Sequence, residues 1–241
     1  MKNLILILFI AAFTMRVSAQ SSCFPVIFEC GSNFVDPRDG FSYPTVQIGM
    51  QCWMAKNLQA TKYVNGDTIP YVSVSGTNAS SWTSVTWGAW CDYDNVASNF
   101  STYGPLYNWY ALNNSRGLCP GGWHVPSANE WNILVNYLGG QSDAGAQMMS
   151  TSVPDGTNTS GFNALPSGGI YCIGMNCPLP GIIGFGGVPP NVPPYLAFFW
   201  TSTNYMPSFV WPEIQVSVSY VNTRFTSSPN LAYSVRCLKD N

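Results

Sequence analysis

Few residues in this chain have the types and spacing that catalysis requires. Its one histidine, His124, offers no readable Ser-His-Asp arrangement. Glycoside hydrolysis needs a pair of carboxylates, and the candidates are Asp92, Asp94, Glu130 and Glu213. Glu130 already fits a helix-capping pattern that would occupy its side chain. We therefore expect no enzymatic activity, and we interpret His124 as a structural or partly buried residue.

The segment Cys91-Asp-Tyr-Asp-Asn95 is the one place where oxygen ligands could gather around a metal ion. It lacks the glycine and the distal glutamate of an EF-hand loop. Asp and Asn are also common turn formers, so a turn is the favoured interpretation and calcium near Asp92 and Asp94 the alternative. A single histidine and the absence of a C-x-x-C pair argue against zinc. We predict no metal and no cofactor.

The eight cysteines indicate disulfide bonds. An even number in an exported chain favours disulfides over free thiols or metal ligands, with about 105 possible connectivities. Cys23 and Cys30 are spaced to close a small local loop, and Cys172 and Cys177 bracket another.

The first nineteen residues have the pattern of a secretory signal peptide: a basic start, an apolar stretch and Val17-Ser-Ala19. We predict cleavage before Gln20 and a location outside the cell or at its surface. Cys23 follows a poor lipidation motif, so lipid attachment is not favoured. No later apolar run approaches the roughly 18 residues that span a bilayer.

Charge and composition limit the partners. Without Lys2 and Arg16, seven basic residues face eleven acidic ones, a net charge of −4, which excludes nucleic-acid binding driven by phosphate contacts. Charged residues are 8% and aromatic residues 15% of the chain, so Ser, Thr, Asn, Gly and Tyr must form much of the surface. Such a surface suits contact with glycans or with copies of itself; a stable extracellular β-rich domain without a particular partner is the simpler alternative.

The clearest local element is a helix that begins after Ser127. Ser127 and Glu130 form a capping box, and a stripe of apolar residues follows at i, i+3, i+4 and i+7 before Gly139-Gly140 ends the helix. A second short helix is predicted over Asp143–Ser150, with Asp143 as its N-cap. Alternation over Glu213–Val221 predicts one strand with one buried face. The Pro- and Gly-rich run 178–194 must pack on the body or be covered by a partner.

Six segments together resemble the Fibrobacter succinogenes major paralogous domain, a family of exported bacterial proteins. They are residues 45–58 (TVQIGMQCWMAKNL), 103–112 (YGPLYNWYAL), 117–131 (GLCPGGWHVPSANEW), 160–166 (SGFNALP), 199–203 (FWTST) and 233–237 (YSVRC). The resemblance implies an α+β, C-type-lectin-like fold: two short helices on a small twisted, mostly antiparallel sheet, with long irregular loops and disulfide staples. The implied division is a signal peptide at 1–19, a disulfide-containing extension at 20–35 and the domain at 36–241.

The resemblance also implies a disulfide scheme. Cys119 would pair with Cys237 and Cys52 with Cys91, which leaves Cys23–Cys30 and Cys172–Cys177 as local bridges. Formylglycine-generating enzymes, which are similar around the capped helix, use a reactive cysteine pair and copper, whereas every cysteine here has a plausible structural partner. The calcium-dependent sugar motifs of C-type lectins are absent from the sequence.

These observations favour a non-catalytic binding or adhesion module for glycans or surface proteins. The predicted contact residues follow the long-loop region: Trp200, Asn204, Tyr205, Trp211 and Glu213. The competing interpretation places Trp200 in the core and the others on an ordinary surface. The alternative function is a self-assembling subunit of an extracellular filament or surface layer, with residues 178–194 as the contact.

Overall fold

The computed structural model describes residues 28–73, 82, 84–171, 181–182, 195–204, 211–226 and 228–241, without the side chains of residues 171, 181, 182, 211, 212 and 226. The predicted signal peptide, Cys23, the Cys172–Cys177 bridge and Tyr205 lie outside the described residues. So does the run 178–194, apart from the backbone of residues 181–182.

The described chain is α+β, with short elements and long connections. The strands are β1 (Phe34–Val35), β2 (Ser42–Tyr43), β3 (Thr45–Ile48), β4 (Gln51–Met54), β5 (Trp90–Cys91), β6 (Leu106–Asn108), β7 (Trp123–His124), β8 (Ile170–Tyr171), β9 (Gly181–Ile182), β10 (Ala197–Trp200), β11 (Trp211–Ser217), β12 (Tyr220–Thr226), β13 (Ala232–Tyr233) and β14 (Leu238–Lys239). The α-helices are α1 (Phe100–Tyr103), α2 (Trp109–Leu112), α3 (Ala128–Tyr137) and α4 (Gln141–Met148).

In the described ranges the strands form four antiparallel sheets rather than the one small sheet expected from the sequence. Their orders are β1-β2, β3-β4-β14-β7, β5-β6-β13-β8-β9 and β10-β11-β12. The two-residue strand β9 lies at the edge of its sheet, where the Pro- and Gly-rich sequence around it is tolerated. Leu238 in β14 pairs with both Trp53 and His124, so the last strand joins β4 to β7.

Helix α3 confirms the capping prediction. The Glu130 N–H donates to Ser127 Oγ at 3.3 Å, and the Ser127 N–H donates to Glu130 Oε2 at 2.7 Å. The apolar stripe is buried along its whole length: Trp131, Leu134, Val135 and Leu138. Gly139 and Gly140 follow with φ of 97° and 95°, the left-handed conformation that glycine adopts without strain.

Helix α4 begins two residues before the predicted start. Its N-cap is Gly140, and Asp143 lies in the first turn instead of at the cap. The helix packs on the β11–β12 hairpin through Gly145, where a Cβ atom would lie 2.1 Å from the Ser217 carbonyl oxygen. This close approach explains a glycine in the interior of a helix, where it otherwise costs stability.

The predicted single strand over Glu213–Val221 is wrong. A turn at residues 218–219 divides it into β11 and β12, which form a hairpin. All residues from Glu213 to Ser217 are buried, whichever face of the strand they occupy. The alternation of apolar and polar residues therefore did not indicate a strand with one buried and one exposed face, because both faces of β11 are buried.

Arg236 is buried in the centre of the fold, with 1% of its surface exposed. Its guanidinium donates to Asn57 Oδ1 at 2.7 Å and to the Met54 carbonyl at 3.1 Å, and it also bonds the Phe162 carbonyl. It lies 4.4 Å from the centre of the Phe162 ring. Burial lowers the pKa of Arg236 to about 9, so the group stays charged at neutral pH. The dipoles of its hydrogen-bond acceptors and the faces of nearby aromatic rings stabilise this charge.

Two disulfides are described, and one differs from the expected scheme. Cys119–Cys237 is confirmed. Cys52 pairs with Cys30, with Cα atoms 5.9 Å apart, so the expected Cys52–Cys91 and Cys23–Cys30 bridges are wrong. Cys91 is a buried free thiol on β5, in a different sheet from Cys52.

The physical reason for the Cys30–Cys52 bridge is the path of the N-terminal segment. Its backbone lies against β3, where the Gly31 N–H donates to Thr45 Oγ1 at 2.9 Å and that hydroxyl donates to the Ser32 carbonyl at 2.6 Å. These contacts bring Cys30 to β4, next to β3. The expected scheme treated the extension 20–35 as separate from the domain, whereas its last residues are bonded to it.

Replacing Arg236 with lysine should destabilise the protein by roughly 2–4 kcal/mol, because an ammonium has three N–H donors for the four oxygens that accept from the guanidinium, and therefore leaves buried oxygens unpaired. Urea unfolding of both proteins measures the difference. Arg224→Lys is the matched control, since that side chain is half exposed, and it should change stability by less than about 0.5 kcal/mol. Equal stabilities of the two variants would contradict the conclusion that the buried hydrogen bonds of Arg236 stabilise the fold.

A non-reduced peptide map should contain a Cys30–Cys52 crosslink and no Cys52–Cys91 crosslink. Burial raises the pKa of the Cys91 thiol, so iodoacetamide should leave Cys91 unmodified in the native protein and label it after unfolding without reductant. Rapid labelling of Cys91 under native conditions would contradict its burial on β5.

Candidate functional site

Of the five residues predicted to bind a ligand, the structure describes the side chains of three, and two of these three are buried. Trp200 is fully buried, and its indole N–H donates to the Tyr107 carbonyl at 2.7 Å. Glu213 is also buried, with 4% of its surface exposed. Asn204 is exposed, whereas Tyr205 and the Trp211 side chain lie outside the described residues. Trp200 is therefore a core residue, as the competing interpretation held, and neither it nor Glu213 offers a contact surface.

Glu213 has a structural environment. It lies on β11 between Trp200 of β10 and Arg224 of β12. Burial raises the pKa of Glu213, partly opposed by a hydrogen bond from Tyr233 and by Arg224, whose Nε lies 3.9 Å from Glu213 Oε1. The carboxylate thus joins β11, β12 and β13.

The acidic segment near Asp92 is a turn, as the sequence favoured. Tyr93–Asn95 forms a 3-10 turn in which Asp94 and Asn95 have φ of 55° and 52°. Asp92 is buried and Asp94 is exposed. No group of three or more His, Cys, Asp or Glu side chains is placed to hold a metal ion in the described part of the chain.

A groove of about 510 Å³ lies between helix α3, the β3–β4 turn and the last strand. Its lining combines apolar, amide and charged side chains: Met50, Gln51, Asn129, Glu130, Ile133, Leu238, Lys239 and Asn241. Leu238 is buried, and Gln51 Nε2 donates to the Glu130 carbonyl at 3.0 Å. This bond joins the β3–β4 hairpin to the first turn of helix α3 beside the groove.

The rim of this groove exposes large apolar side chains. Met50, at the tip of the β3–β4 turn, is 92% exposed, and Ile133 is 48% exposed. One helical turn after Ile133, Tyr137 is 65% exposed and lies against the turn, since a Cβ atom at Gly49 would be 3.0 Å from its ring. A row of exposed apolar residues beside a groove is a common feature of interaction sites. We call Met50, Ile133 and Tyr137 the apolar rim.

His124 connects two carboxylates next to the groove. Its Nδ1 lies 2.6 Å from Asp240 Oδ1, and its Nε2 lies 2.9 Å from Glu130 Oε1. Ionised carboxylates only accept hydrogen bonds, and a neutral imidazole has one N–H. The arrangement is therefore satisfied fully only by the imidazolium. Burial disfavours this charge, but the bonds to Asp240 and Glu130 outweigh it and raise the pKa of His124 above its ordinary value.

Glu130 serves both the helix cap and the histidine. Burial would raise its pKa, but the Ser127 backbone and hydroxyl bonds and the His124 bond together lower it. Ser127 Oγ lies 2.8 Å from Glu130 Oε2, so the serine is bonded to the carboxylate and not to the imidazole. This order differs from a serine–histidine pair prepared for nucleophilic attack.

Sequence reasoning missed most of this site. A signal existed for Ile133 and Tyr137, which are apolar at i and i+4 on the helix face opposite the buried stripe. A second signal was Met50, a large apolar residue directly after Gly49. No local pattern joins His124 to Asp240, because they are 116 residues apart. The predicted structural role of His124 agrees with its two partners and partial burial.

Most of the chain matches the model of one protein family. A model described as the Fibrobacter succinogenes major domain matches residues 46–239. The chain belongs to this family. No curated protein and no solved structure matches the chain. Within the family region, the match covers β3 to β14 and therefore the whole groove except Asn241.

Two described disulfides are typical of a protein that folds in an oxidising compartment. None of the described helices has the length and apolarity that crossing a bilayer requires.

The His124 cluster should make stability depend on pH in two windows. The raised pKa of His124 means that its contribution is complete below about pH 6.5 and is lost as the pH rises through the folded-state value. The lowered pKa of Glu130 means that its contribution is present above about pH 4.5 and is lost as the pH falls through the folded-state value.

Denaturant unfolding of wild type and His124→Gln at pH 6 and pH 9 tests the upper window. The wild type should be more stable than the variant at pH 6 by under about 1 kcal/mol, because the ring is partly exposed. The difference should be smaller at pH 9. A difference that stays constant between the two pH values would contradict a protonated bridge.

Proposed function

We propose that this family member is an exported, non-catalytic binding module whose ligand lies in the groove beside helix α3. The observation that carries the proposal is the combination in one groove of an apolar rim and exposed polar side chains. Ligand sites are concave and mostly apolar, with few polar groups that fix orientation. This assignment replaces the predicted contact region around Trp200, whose side chain is buried.

The polar groups of the groove indicate a neutral, hydroxyl-rich ligand such as a glycan. Gln51 and Glu130 are occupied by bonds within the protein. The Asn129 side chain is exposed in the first turn of α3 and has no hydrogen bond to another described residue. An amide offers both donors and an acceptor, which suits hydroxyl groups, while the apolar rim suits the C–H face of a sugar ring.

The charges of the groove agree with a neutral ligand. Glu130 and Lys239 bring one negative and one positive side chain to the lining. The Lys239 ammonium donates to the Asp240 carbonyl at 3.2 Å, which reduces its availability to an anion. A polyanion would meet only one cation here, and a cationic ligand would meet a carboxylate already bonded to His124 and Ser127.

Retention on immobilised neutral polysaccharides, followed by titration of the best fragment, tests the proposal. Asn129→Ala and Ile133→Ser should each weaken binding about three- to tenfold, the effect of one hydrogen bond or one apolar contact. Val96→Ser is the matched control, since Val96 is 45% exposed and does not line the groove. Binding that survives both groove variants would place the ligand elsewhere.

The same incubation tests the absence of catalysis. We expect no new reducing ends from a retained polysaccharide after prolonged incubation with the protein. Release of sugar that is lost in Glu130→Gln would instead show an enzyme.

Self-assembly into a filament or surface layer is the second candidate. The specific observation in its favour is Met50, which is almost fully exposed at a turn tip. The contact expected from the sequence, residues 178–194, lies outside the described residues apart from 181–182. Sedimentation of the mature protein over a range of concentrations distinguishes the two functions, because a persistent monomer would oppose assembly.

A further inference from the structure

We propose that protonated His124 acts as a latch that fastens residues 240 and 241 beside the groove, and that loss of its proton releases them. The latch stands on the geometry of three side chains from three separate elements. His124 belongs to β7, Glu130 to the first turn of α3, and Asp240 follows β14. The control of ligand binding by this latch rests on the proposed function of the groove.

The latch has two states because the His124 ring is either protonated or neutral. Both ring nitrogens face carboxylate oxygens, at 2.6 Å and 2.9 Å. The imidazolium donates to both, whereas a neutral ring in either tautomer turns a lone pair toward one carboxylate. Deprotonation therefore replaces one attractive contact with a repulsive one.

Asp240 is the partner that leaves. Glu130 is also held by the Ser127 N–H at 2.7 Å and the Ser127 hydroxyl at 2.8 Å. The Asp240 side chain is 49% exposed, and its backbone N–H donates to the Gly122 carbonyl at 3.0 Å. With His124 neutral, that backbone bond and the Lys239 ammonium are its remaining ties in the described structure.

The charged groups around the ring agree with this assignment. Glu130 faces it from α3 and Asp240 from beyond β14, and Lys239 of β14 contacts the Asp240 carbonyl instead of the imidazole. Gln51, the groove residue of the β3–β4 hairpin that bonds Glu130, is neutral. The ring therefore responds mainly to two carboxylates.

Release of this segment changes the groove directly. Asn241 and Lys239 line it on the side opposite Ile133 and Asn129, which belong to α3. Movement of residues 240 and 241 removes part of that wall without disturbing β14, which pairs with β4 and β7. We expect the ligand to bind about two- to fivefold more weakly above the His124 transition, since one surface ion pair sets the equilibrium.

Nuclear magnetic resonance of the ¹⁵N-labelled protein tests the latch without a ligand. The chain has one histidine, so every imidazole signal belongs to His124. Between pH 5.5 and 9.5 we expect both ring nitrogens to be protonated at low pH, and the heteronuclear NOE of the residue 240 and 241 amides to fall with the same midpoint. Amides of residues 240 and 241 that stay ordered through the imidazole transition would overturn the proposal.

Two variants separate the latch from general pH effects. His124→Gln should remove the transition in the residue 240 and 241 amides. Asp240→Asn lowers the negative charge at Nδ1 while keeping an oxygen acceptor, so it should move the His124 midpoint to lower pH. A transition of the same amides that persists in His124→Gln would also overturn the latch.

Binding is then measured for the retained polysaccharide at pH 6 and above the transition, with wild type and His124→Gln. An affinity that falls about two- to fivefold between the lower and the higher pH in the wild type alone supports control of ligand binding by the latch. An equal step in both proteins overturns it. If no polysaccharide is retained at either pH, the proposed function fails, and the resonance measurements by themselves decide whether the latch exists.

Discussion

The buried guanidinium of Arg236 is the interaction on which the rest of the structure depends. Removing a charge from water costs several kcal/mol unless the site supplies compensating dipoles. Here the compensation comes from segments far apart in the chain: the Met54 carbonyl at the end of β4 and Asn57 shortly after it, and the Phe162 and Asn163 carbonyls after α4. No carboxylate contacts the group in the described ranges. The charge is therefore stabilised only if these segments meet, which favours one arrangement of the chain.

This constraint extends to the groove through the next few residues. Cys237 follows Arg236 and is bonded to Cys119, just before β7. Leu238 then pairs with Trp53 on one side and with His124 on the other. The ring of Trp53 lies 4.8 Å from that of Trp131 in helix α3. The core thus fixes His124 and Glu130 relative to β14, and Asp240, which follows β14, comes within hydrogen-bond distance of a histidine 116 residues away.

Local chemistry made part of this structure predictable. The capping box, the buried stripe and the terminal glycines of α3 all act within a few residues, and the sequence shows each of them. The family resemblance implied the Cys119–Cys237 bridge. The Cys30–Cys52 bridge depends on hydrogen bonds between the N-terminal segment and β3, and no spacing encodes them. The single strand predicted over Glu213–Val221 failed because a turn at residues 218–219 divides it, and its alternation did not mark one buried face because β11 is buried on both.

The candidate site was the least predictable part for a related reason. Exposed-looking aromatic residues suggested a binding surface near Trp200, but its indole N–H finds a partner in the core, and burial is the common fate of such rings. The apolar rim was visible only as residues that did not fit the buried stripe. Such misfits are informative because a row of exposed apolar residues beside a groove is a common feature of interaction sites.

The segments that carry the family resemblance and the residues of the groove contribute differently to the fold and to function. Trp53, Trp123, Trp200 and Arg236 lie in the segments that carry the resemblance, and each is buried. The groove draws on residues from outside those segments, Ile133, Tyr137, Lys239 and Asn241, and on residues from inside them, Met50, Gln51, Asn129 and Glu130. A shared fold does not determine what a site binds. A ligand of the groove therefore has to be identified from the chemistry of the groove residues themselves, whether they lie inside or outside the family segments.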